Sequence, residues 1–286
     1  MGEMSIPEEA YYGIQTMRAA ENFQIVGFPV SSFPKLIRAI AAIKKAAAIT
    51  NRKLGLLPEE MARAIGLACD EIMENKLFAN FIVDLVQGGA GTSTNMNINE
   101  VIANRALELL GRSKGEYNLI SPNDHVNLSQ STNDVYPTAI KIALIYSVRE
   151  LTDAMAELIG ALRRKEEEFA GVLKVGRTEL RDAVPITLGQ EFGAYATTLG
   201  EDIERLNEVC GLIREINLGG TAIGTGINAD PRYPKMVCKE LRKITGLDLI
   251  LSPNLIEATQ DTGVFVLLSG VLKRTAVKLS KVCNDL

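Results

Sequence analysis

The feature that most constrains the fold is a long helical pattern that follows the polar segment Ser129–Asp134. Small polar side chains are typical caps of a helix N-terminus, and Pro137 stands close enough to the start for its missing N–H to cost little. From there to about Phe169 no further proline occurs, and apolar side chains recur at alternating spacings of four and three residues. The residues that carry this alternation are Leu144, Val148, Leu151, Met155, Leu158 and Leu162. The pattern predicts one helix of roughly 35 residues, about 50 Å long, that packs between neighbouring helices.

The same alternation returns in two further stretches, from about Leu188 to Ile216 and from about Thr262 onward. Shorter amphipathic patterns predict helices over 34–54, from 58 onward, over 95–110 and over 233–245. We therefore expect a mainly α protein of the long-helix bundle type, with the bundle in residues 129–286 and a small mixed, mostly helical domain in residues 1–128. Because three long helices cannot enclose their own apolar faces, further chain or neighbouring subunits must complete the bundle.

Composition argues against several classes of partner and site. Lys and Arg number 31 against 35 Asp and Glu, and the charges are interspersed, so nucleic acid and an anionic membrane are not expected as partners. No stretch is long and apolar enough for a bilayer, and the first residues do not resemble a signal peptide. The four cysteines lie in apolar helical patterns without metal-ligand spacing, which is typical of reduced core residues in a cytoplasmic protein. The single histidine, His125, argues against a histidine-based metal site or a Ser-His-Asp triad.

Two glycine-rich segments resemble nucleotide-binding loops in composition only. Gly88–Ser93 lacks the Gly-Lys-Ser/Thr sequence that a P-loop requires. Gly219–Gly226 follows a predicted long helix, whereas the dinucleotide fingerprint follows a strand. Neither segment therefore indicates a nucleotide site.

Hydroxyl and amide side chains are dense in three turns of the chain, at Thr92–Asn95, Ser131–Asn133 and Thr178. One interpretation is that they only cap helices and close turns. The other is that they form a site for a small dicarboxylate together with the free N–H groups of helix N-termini. Such a site would stabilise negative charge that develops on its ligand. The residues by themselves leave both interpretations open.

Several longer segments are similar to the signature regions of a known superfamily. They are Tyr11–Thr16, Gly88–Asn97, Gln130–Asp134, Gly176–Thr178 with Asp182–Pro185, Gly220–Gly226 and Lys281–Leu286. Together they resemble the aspartase/fumarase superfamily over essentially the whole chain. Within it the chain resembles the aspartate ammonia-lyases more than the fumarases. Fumarases usually carry Ser-Gly-Thr-Gln-Thr-Asn at the position of Ala90–Asn95 and Ser-Ser-Asn at the position of Ser131–Asn133.

The resemblance implies a fold, an assembly and a chemistry. It implies a mostly helical homotetramer with a central bundle, active sites each built from three subunits, and no cofactor or metal. The residues that it implies for binding the two carboxylates and the amino group of the substrate are Thr92, Ser131, Thr132, Asn133 and Thr178. A base would remove a proton from Cβ of L-aspartate, the charge would spread into the β-carboxylate as an aci-carboxylate, and ammonia would leave to give fumarate. Two alternatives stay open, namely a class II fumarase and a noncatalytic fragment or pseudoenzyme scaffold.

Three features depart from the pattern of the superfamily. Its catalytic base is a serine on a flexible Gly-Ser-Ser loop, followed by a substrate-binding lysine and asparagine, and we expect these beyond Leu286. The 286 residues by themselves are therefore expected to lack lyase activity. A second anion-binding turn of fumarases begins with histidine where this chain has Ser121, so that turn is not expected to form a site. The residue after Thr178 is usually histidine or glutamine, and here it is Glu179.

Glu179 is the candidate catalytic residue within the chain, and it has two interpretations. In an extended strand, Arg177, Glu179 and Arg181 would share one face, and Glu179 would be an ordinary paired surface charge. If the backbone instead turns so that Thr178 and Glu179 both reach the substrate, the carboxylate would attract the ammonium of aspartate and repel a dicarboxylate.

Overall fold

The protein, described here over residues 4–286 by a computed structural model, is mainly helical, as the periodicity predicts. The helices are α1 (Ile14–Asn22), α2 (Pro34–Lys53), α3 (Glu59–Met73), α4 (Thr92–Leu109), α5 (Thr132–Glu168), α6 (Leu188–Ile213), α7 (Tyr233–Thr245), α8 (Leu255–Gln260) and α9 (Gly263–Asp285). The strands are β1 (Leu173–Thr178), β2 (Arg181–Thr187), β3 (Glu215–Ile216) and β4 (Ile250–Leu251). β1 and β2 form an antiparallel hairpin, and β3 and β4 form a short parallel pair. Over residues 4–286 no helix combines the length and the apolarity that a membrane span requires.

The chain forms two compact units. Unit 1 comprises the chain up to Leu144 together with Arg214–Asp261, and unit 2 comprises Ile145–Ile213 together with Thr262–Leu286. Helix α5 therefore contributes its N-terminal part to unit 1 and the rest of its length to unit 2. This division by contacts is a different one from the domain boundary that the sequence suggests near residue 128, which stays a prediction.

Helix α2 is central to unit 1, where it packs against α3, α4 and α7. Pro34 occupies its first turn, where a missing N–H leaves no bond unmade. Ile37, Ile40 and Ile43 are fully enclosed, and burial of each such side chain stabilises the fold by about 1.5–3 kcal/mol. Alanines fill most of the other buried positions of α2, which lets neighbouring helices lie close on several sides.

The long-helix seams that the sequence predicts form the core of unit 2 at most of their positions, but the predicted seam residue Leu158 is 40% exposed. Leu199 and Leu206 of α6 are fully enclosed, and Leu162, Tyr195 and Val282 join α5, α6 and α9 in one apolar cluster. Other apolar side chains of the unit are exposed. They include Leu158, Leu173, Leu180, Val184, Val266 and Val277.

The hairpin of unit 2 turns at Glu179 and Leu180, which join β1 to β2. Both residues are left-handed, with φ of 50° and 62°, as in a tight two-residue hairpin loop. The expectation that Glu179 continues an extended strand beside Arg177 is therefore wrong. Because β1 and β2 pair with each other, the chain must reverse at this point, and Arg177 Nε donates to Asp182 Oδ1 across the hairpin at 3.1 Å.

Two helix boundaries differ from the sequence prediction. Helix α4 begins at Thr92 rather than at Asn95, because Gly91 ends the preceding loop in a left-handed conformation and the helix starts directly after it. Helix α6 ends at Ile213, since Glu215–Ile216 pairs with β4 and leaves the helical path. The first difference places Thr92 in the first helical turn.

None of the four cysteines, all of which lie within the described residues, forms a disulfide, and three of them are buried as the apolar pattern predicts. Cys283 is the exception, because it is exposed. Its neighbour Val282 takes the inward position on α9, and the next residue of a helix rotates away by about 100°.

Candidate functional site

The N-terminal end of α5 carries three of the polar residues that the sequence singles out. Ser129 has a φ of 63°, which turns the chain three residues before the helix begins at Thr132. The Ser131 carbonyl oxygen accepts from Val135 N at 3.1 Å, and its Oγ accepts from Asn133 N at 3.4 Å. Ser131 and Thr132 are half-buried and Asn133 is exposed. Their polar groups thus lie at the partially positive end of a 37-residue helix, which favours an anion.

Asp134 fixes the shape of this helix end. Its fully buried carboxylate accepts three backbone N–H groups, from Ser131 at 3.0 Å, from Gly219 at 2.9 Å and from Thr221 at 3.1 Å. Burial raises the pKa of Asp134 to about 6, although these N–H groups and the Lys44 ammonium act in the opposite direction. Asp134 therefore joins the glycine-rich loop to α5, and its oxygens are already engaged.

The glycine-rich loop after β3 holds Asn133 from two sides. Asn133 Nδ2 donates to Ala222 O at 2.7 Å, and Asn217 Nδ2 donates to Asn133 O at 3.0 Å. Gly224 has a φ of +91°, and a Cβ there would lie 2.3 Å from Ile256 Cα, so only glycine fits. Close packing against α8 thus explains Gly224 without a nucleotide.

The first turn of α4 lies beside the first turn of α5. Gly91 has a φ of +95°, and a Cβ there would lie 2.5 Å from the ring of Tyr136, so glycine permits the close approach of the two helix ends. Asn95, one turn into α4, is 1% exposed, and its Nδ2 donates to Thr132 Oγ1 at 3.3 Å. Two partially positive helix ends therefore meet at Thr132.

Lys44 of α2 lies beneath these side chains, and pattern reasoning missed it. It is fully buried, and its Nζ donates to Asn127 Oδ1 at 2.8 Å. The same oxygen accepts from Asn95 Nδ2 at 3.2 Å. Burial lowers the pKa of Lys44 to about 7, while the Asp134 carboxylate raises it.

The sequence does contain a signal for Lys44. Spacings of three and four residues place it on the same helix face as Ile37, Ile40 and Ala47, and a lysine within such a face is unusual because charged side chains are rarely buried unless paired. Its partner Asn127 lies 83 residues further along the chain, so no local pattern indicates the contact.

The other predicted substrate-binding residues lie in both units. Thr92 of unit 1 is exposed in the first turn of α4, and its Oγ1 donates to Gly89 O at 2.6 Å. Unit 1 thus connects Thr92 with Ser131–Asn133 through the contact between α4 and α5. Thr178 belongs to unit 2, where it is exposed at the end of β1, and Glu179 follows it in the turn.

The turn at Ser121 is closed on itself. Ser121 Oγ donates to Asp124 Oδ2 at 3.0 Å and accepts from Asp124 N at 3.1 Å, while Ser121 N donates to His125 Nδ1 at 2.8 Å. These contacts occupy the groups that an anion would need. In the part of the chain that the structure describes, no three Cys, His, Asp or Glu side chains cluster as a metal site would require.

The arrangement around Thr132 can bind an anion but contains no strong base. Its exposed polar groups are hydroxyls, a side-chain amide and helix N–H groups, whereas the two charged groups nearby, Lys44 and Asp134, are fully buried and engaged. Such a site stabilises a carboxylate and any negative charge that grows on it.

Known proteins are similar to this chain over its whole described length. A family model described as "Lyase" matches residues 2–286. The aspartate ammonia-lyase of Pseudomonas aeruginosa is 57% identical over 287 residues, which cover 100% of this chain and 60% of that protein. The chain therefore spans about 60% of the length of the curated relatives that it matches.

Solved structures agree with this similarity. A structure of fumarate lyase:delta crystallin from Brucella melitensis bound to cobalt has a TM-score of 0.98 and 57% sequence identity, covering 99% of this chain and 62% of that one. A recombinant class II fumarase from Schistosoma mansoni has a TM-score of 0.94 and 34% identity, covering 99% of this chain and 63% of that one.

Proposed function

Since the chain belongs to the lyase family, as its resemblance to the aspartase/fumarase superfamily predicts, we propose that it forms the substrate-binding part of an aspartate ammonia-lyase. The reaction is the conversion of L-aspartate to fumarate and ammonia. The observation that carries the proposal is the meeting of Ser131, Thr132 and Asn133 with the first turn of α4 at two helix N-termini. Identity to aspartate ammonia-lyases over the whole chain supports the choice of substrate.

The proposed site stabilises charge that develops during the reaction. Removal of a proton from Cβ leaves an electron pair that moves into the β-carboxylate, and hydroxyl donors of Ser131 and Thr132 bind the resulting aci-carboxylate. The pair then returns to form the Cα–Cβ double bond, while the C–N bond breaks and ammonia leaves with its electrons. Loss of one such donor costs about 2.7–4 kcal/mol of barrier. The serine base that the superfamily carries in a Gly-Ser-Ser loop has no counterpart among these 286 residues.

Thr92, Asn133 and Thr178 complete the proposed set of substrate-binding residues. Asn133 is suited to the amino group, because its side chain is held by Ala222 O and is exposed at the helix end. We further propose a cytoplasmic homotetramer, which rests on the resemblance to the superfamily. The exposed apolar side chains of unit 2 support self-association.

The first test removes hydroxyls from the proposed site. Ser131→Ala and Thr132→Ala, in a chain extended to the length of the relatives, should each lower turnover of aspartate by at least about ten-fold, because each removes a donor to the developing charge. Fumarate formation is followed by ultraviolet absorbance, and the melting temperature should stay within a few degrees. Thr152→Ala, 20 residues later on α5, is the matched control. Near-wild-type turnover in both site variants would contradict the proposal.

The same assay separates the alternatives. A class II fumarase, which the similarity to the Schistosoma mansoni protein favours, would form fumarate from malate and not from aspartate. A noncatalytic scaffold would form it from neither. Turnover of aspartate by the 286 residues alone would mean that another residue serves as the base.

A further inference from the structure

Beneath the α5 N-terminus, a series of hydrogen bonds runs from Lys44 through Asn127 and Asn95 to Thr132, and the donor and acceptor of each bond can be assigned. Lys44 carries N–H donors whether it is protonated or neutral, and Gln130 O lies on the other side of the Asn127 amide, so the Asn127 atom at 2.8 Å from Lys44 Nζ is the carbonyl oxygen. The other side of the same amide fits this orientation, since Asn127 Nδ2 donates to Gln130 O at 3.3 Å. Distances alone leave the two ends of an amide ambiguous. Lys44 and the Gln130 carbonyl together remove that ambiguity for Asn127.

The orientation of Asn127 determines that of Asn95. An amide oxygen of Asn95 facing Asn127 Oδ1 would bring two acceptors together, so the atom at 3.2 Å must be Asn95 Nδ2. The second N–H of this nitrogen points to Thr132 Oγ1 at 3.3 Å. Both protons of the amide are thus in use, while Asn95 Oδ1 is buried and accepts from no protein group in the part described.

Thr132 is the last residue in this series of hydrogen bonds from Lys44 through Asn127 and Asn95. Its Oγ1 accepts from Asn95, and within residues 4–286 its hydroxyl donates to no protein group. We propose that Lys44, Asn127 and Asn95 form a polarity relay, which sets the Thr132 hydroxyl as a hydrogen-bond donor toward the substrate carboxylate. The inference rests on the proposed function and deepens it. Lys44, Asn127 and Asn95 are positioning residues, because they act through Thr132.

The relay fixes the direction in which the Thr132 hydroxyl points its proton. A hydroxyl can accept or donate, whereas a carboxylate can only accept. A threonine whose oxygen already accepts from a fixed N–H keeps its proton ready for the ligand, so no reorientation is needed when charge grows on that ligand. Lys44 is fully enclosed and Asn95 is 1% exposed, so water does not compete with these bonds.

The test uses one chemical change at two positions, in a chain extended to the length of the relatives. Position 95 must donate two hydrogen bonds, which an aspartate cannot do, so Asn95→Asp should lower kcat on aspartate by about 100-fold with a smaller change in KM. Position 127 must accept from both Lys44 and Asn95, which an aspartate can do, although it loses the bond that Asn127 Nδ2 donates to Gln130 O. Asn127→Asp should therefore keep at least about ten times the kcat of Asn127→Leu, although a buried carboxylate destabilises a fold more than leucine does.

Asn99→Asp is the matched control for the buried charge. Asn99 lies one turn further along α4, is fully enclosed, and also has a buried Oδ1 without a partner. Its Nδ2 contacts Met96 Sδ at 3.6 Å and takes no part in the relay. The control should lose stability as Asn95→Asp does while its kcat stays within about three-fold of wild type, because no donor to the substrate is lost.

A double-mutant cycle tests whether Asn95 acts through Thr132. Once Thr132→Val has removed the hydroxyl, adding Asn95→Asp should lower kcat no further. If Asn95→Asp does not fold, Asn95→Ala replaces it, since it removes both N–H groups without burying a charge. Losses that multiply, or a kcat for Asn95→Asp within two-fold of wild type, would overturn the relay.

An NMR measurement tests the relay without turnover. The side-chain N–H protons of Asn95 should exchange slowly with solvent in the wild-type chain and faster in Asn127→Leu, which keeps the burial but removes the acceptor. Fast exchange in the wild type, or equal exchange in both, would overturn the relay. If the extended wild type turns over no aspartate while the exchange behaves as expected, the proposed function fails and the relay stands.

Discussion

At the scale of single residues, the site depends on buried charges that never meet the ligand. Lys44 and Asp134 are both fully enclosed below the α5 N-terminus, and burial moves the pKa of each toward neutrality, to about 7 and about 6. Asp134 ties α5 to the glycine-rich loop, and Lys44 orients Asn127. Polar groups in such surroundings are costly unless bonded, so their bonds also specify one arrangement of the site.

The buried lysine predicts a dependence of stability on pH. Between about pH 7 and its usual pKa of 10.5, Lys44 is neutral in the folded chain and protonated in the unfolded one. The unfolded state then binds more protons, so this group makes the free energy of unfolding rise with pH. Lys44→Met should lack that contribution, and the wild type should gain stability relative to the variant as pH rises from 7 to 10, measured by urea unfolding.

The neighbouring lysine provides the control for this prediction. Lys45 is partly exposed and pairs with Asp70 at 2.5 Å. Lys45→Met should therefore show a smaller change across the same pH range. A difference between wild type and Lys44→Met that is constant from pH 7 to 10 would contradict the buried-lysine argument.

At the scale of elements, two helix starts and one hairpin turn carry the side chains that we propose to bind the substrate. Helix α4 starts directly after the left-handed Gly91, and the left-handed Ser129 turns the chain three residues before the start of α5. Both helices carry polar side chains in their first turns. The backbone of the hairpin turn is strained, because Glu179 and Leu180 both adopt left-handed φ without being glycine. Such residues cost about 1–2 kcal/mol each, and strain of this kind is often kept at functional sites.

In the hairpin turn, we expect a substitution of Leu180 to change the melting temperature and a substitution of its neighbour Glu179 to change KM for aspartate. Leu180→Gly should raise the melting temperature by about 2 °C, because glycine adopts this φ without strain, and should leave KM for aspartate unchanged. Glu179→Gln keeps the backbone strain, so the melting temperature should not move, while loss of the carboxylate should raise KM for aspartate. Thermal melting and steady-state kinetics of the extended chain check both. An unchanged KM in Glu179→Gln would favour a surface role for Glu179.

At the scale of the whole molecule, the two units differ in which elements expose apolar side chains. Unit 1 encloses α2 between its neighbours and exposes apolar side chains mainly outside its long helices, such as Phe28 and Ile223, whereas unit 2 exposes those of its long helices and hairpin. Leu180 is 97% exposed, and Val266 and Val277 of α9 are 69% and 61% exposed. Exposed apolar faces of this extent are typical of association surfaces.

The exposed face of α9 predicts self-association of the chain. Val266 and Val277 lie three turns apart on one side of the helix, so Val266→Glu with Val277→Glu should lower the average mass measured by sedimentation. Arg112→Glu, at an exposed position of unit 1, is the control and should leave the mass unchanged. Equal masses for wild type and the double variant would mean that this face takes no part in association.

The sequence by itself determined most of the helices, the class of fold and the family, but it did not predict α1 and α8. Apolar spacing of three and four residues reports directly on helix faces, as at Leu199 and Leu206, and glycine and proline mark element ends, so these features follow from residues close together in the chain. The hydroxyl-rich segments at Thr92 and Ser131–Asn133 were also visible, because a helix cap and an anion site use the same residue types.

Only the tertiary structure decided which of these groups meet and which way they point. The contacts from Lys44 to Asn127 and from Asn95 to Thr132 join residues 83 and 37 positions apart, and Asp134 accepts from Gly219 over 85 positions. A local pattern cannot encode such pairs, because it records the face on which a residue lies and not the partner across the interface. The turn at Glu179 likewise follows from the pairing of β1 with β2, since strands that pair side by side force the chain between them to reverse.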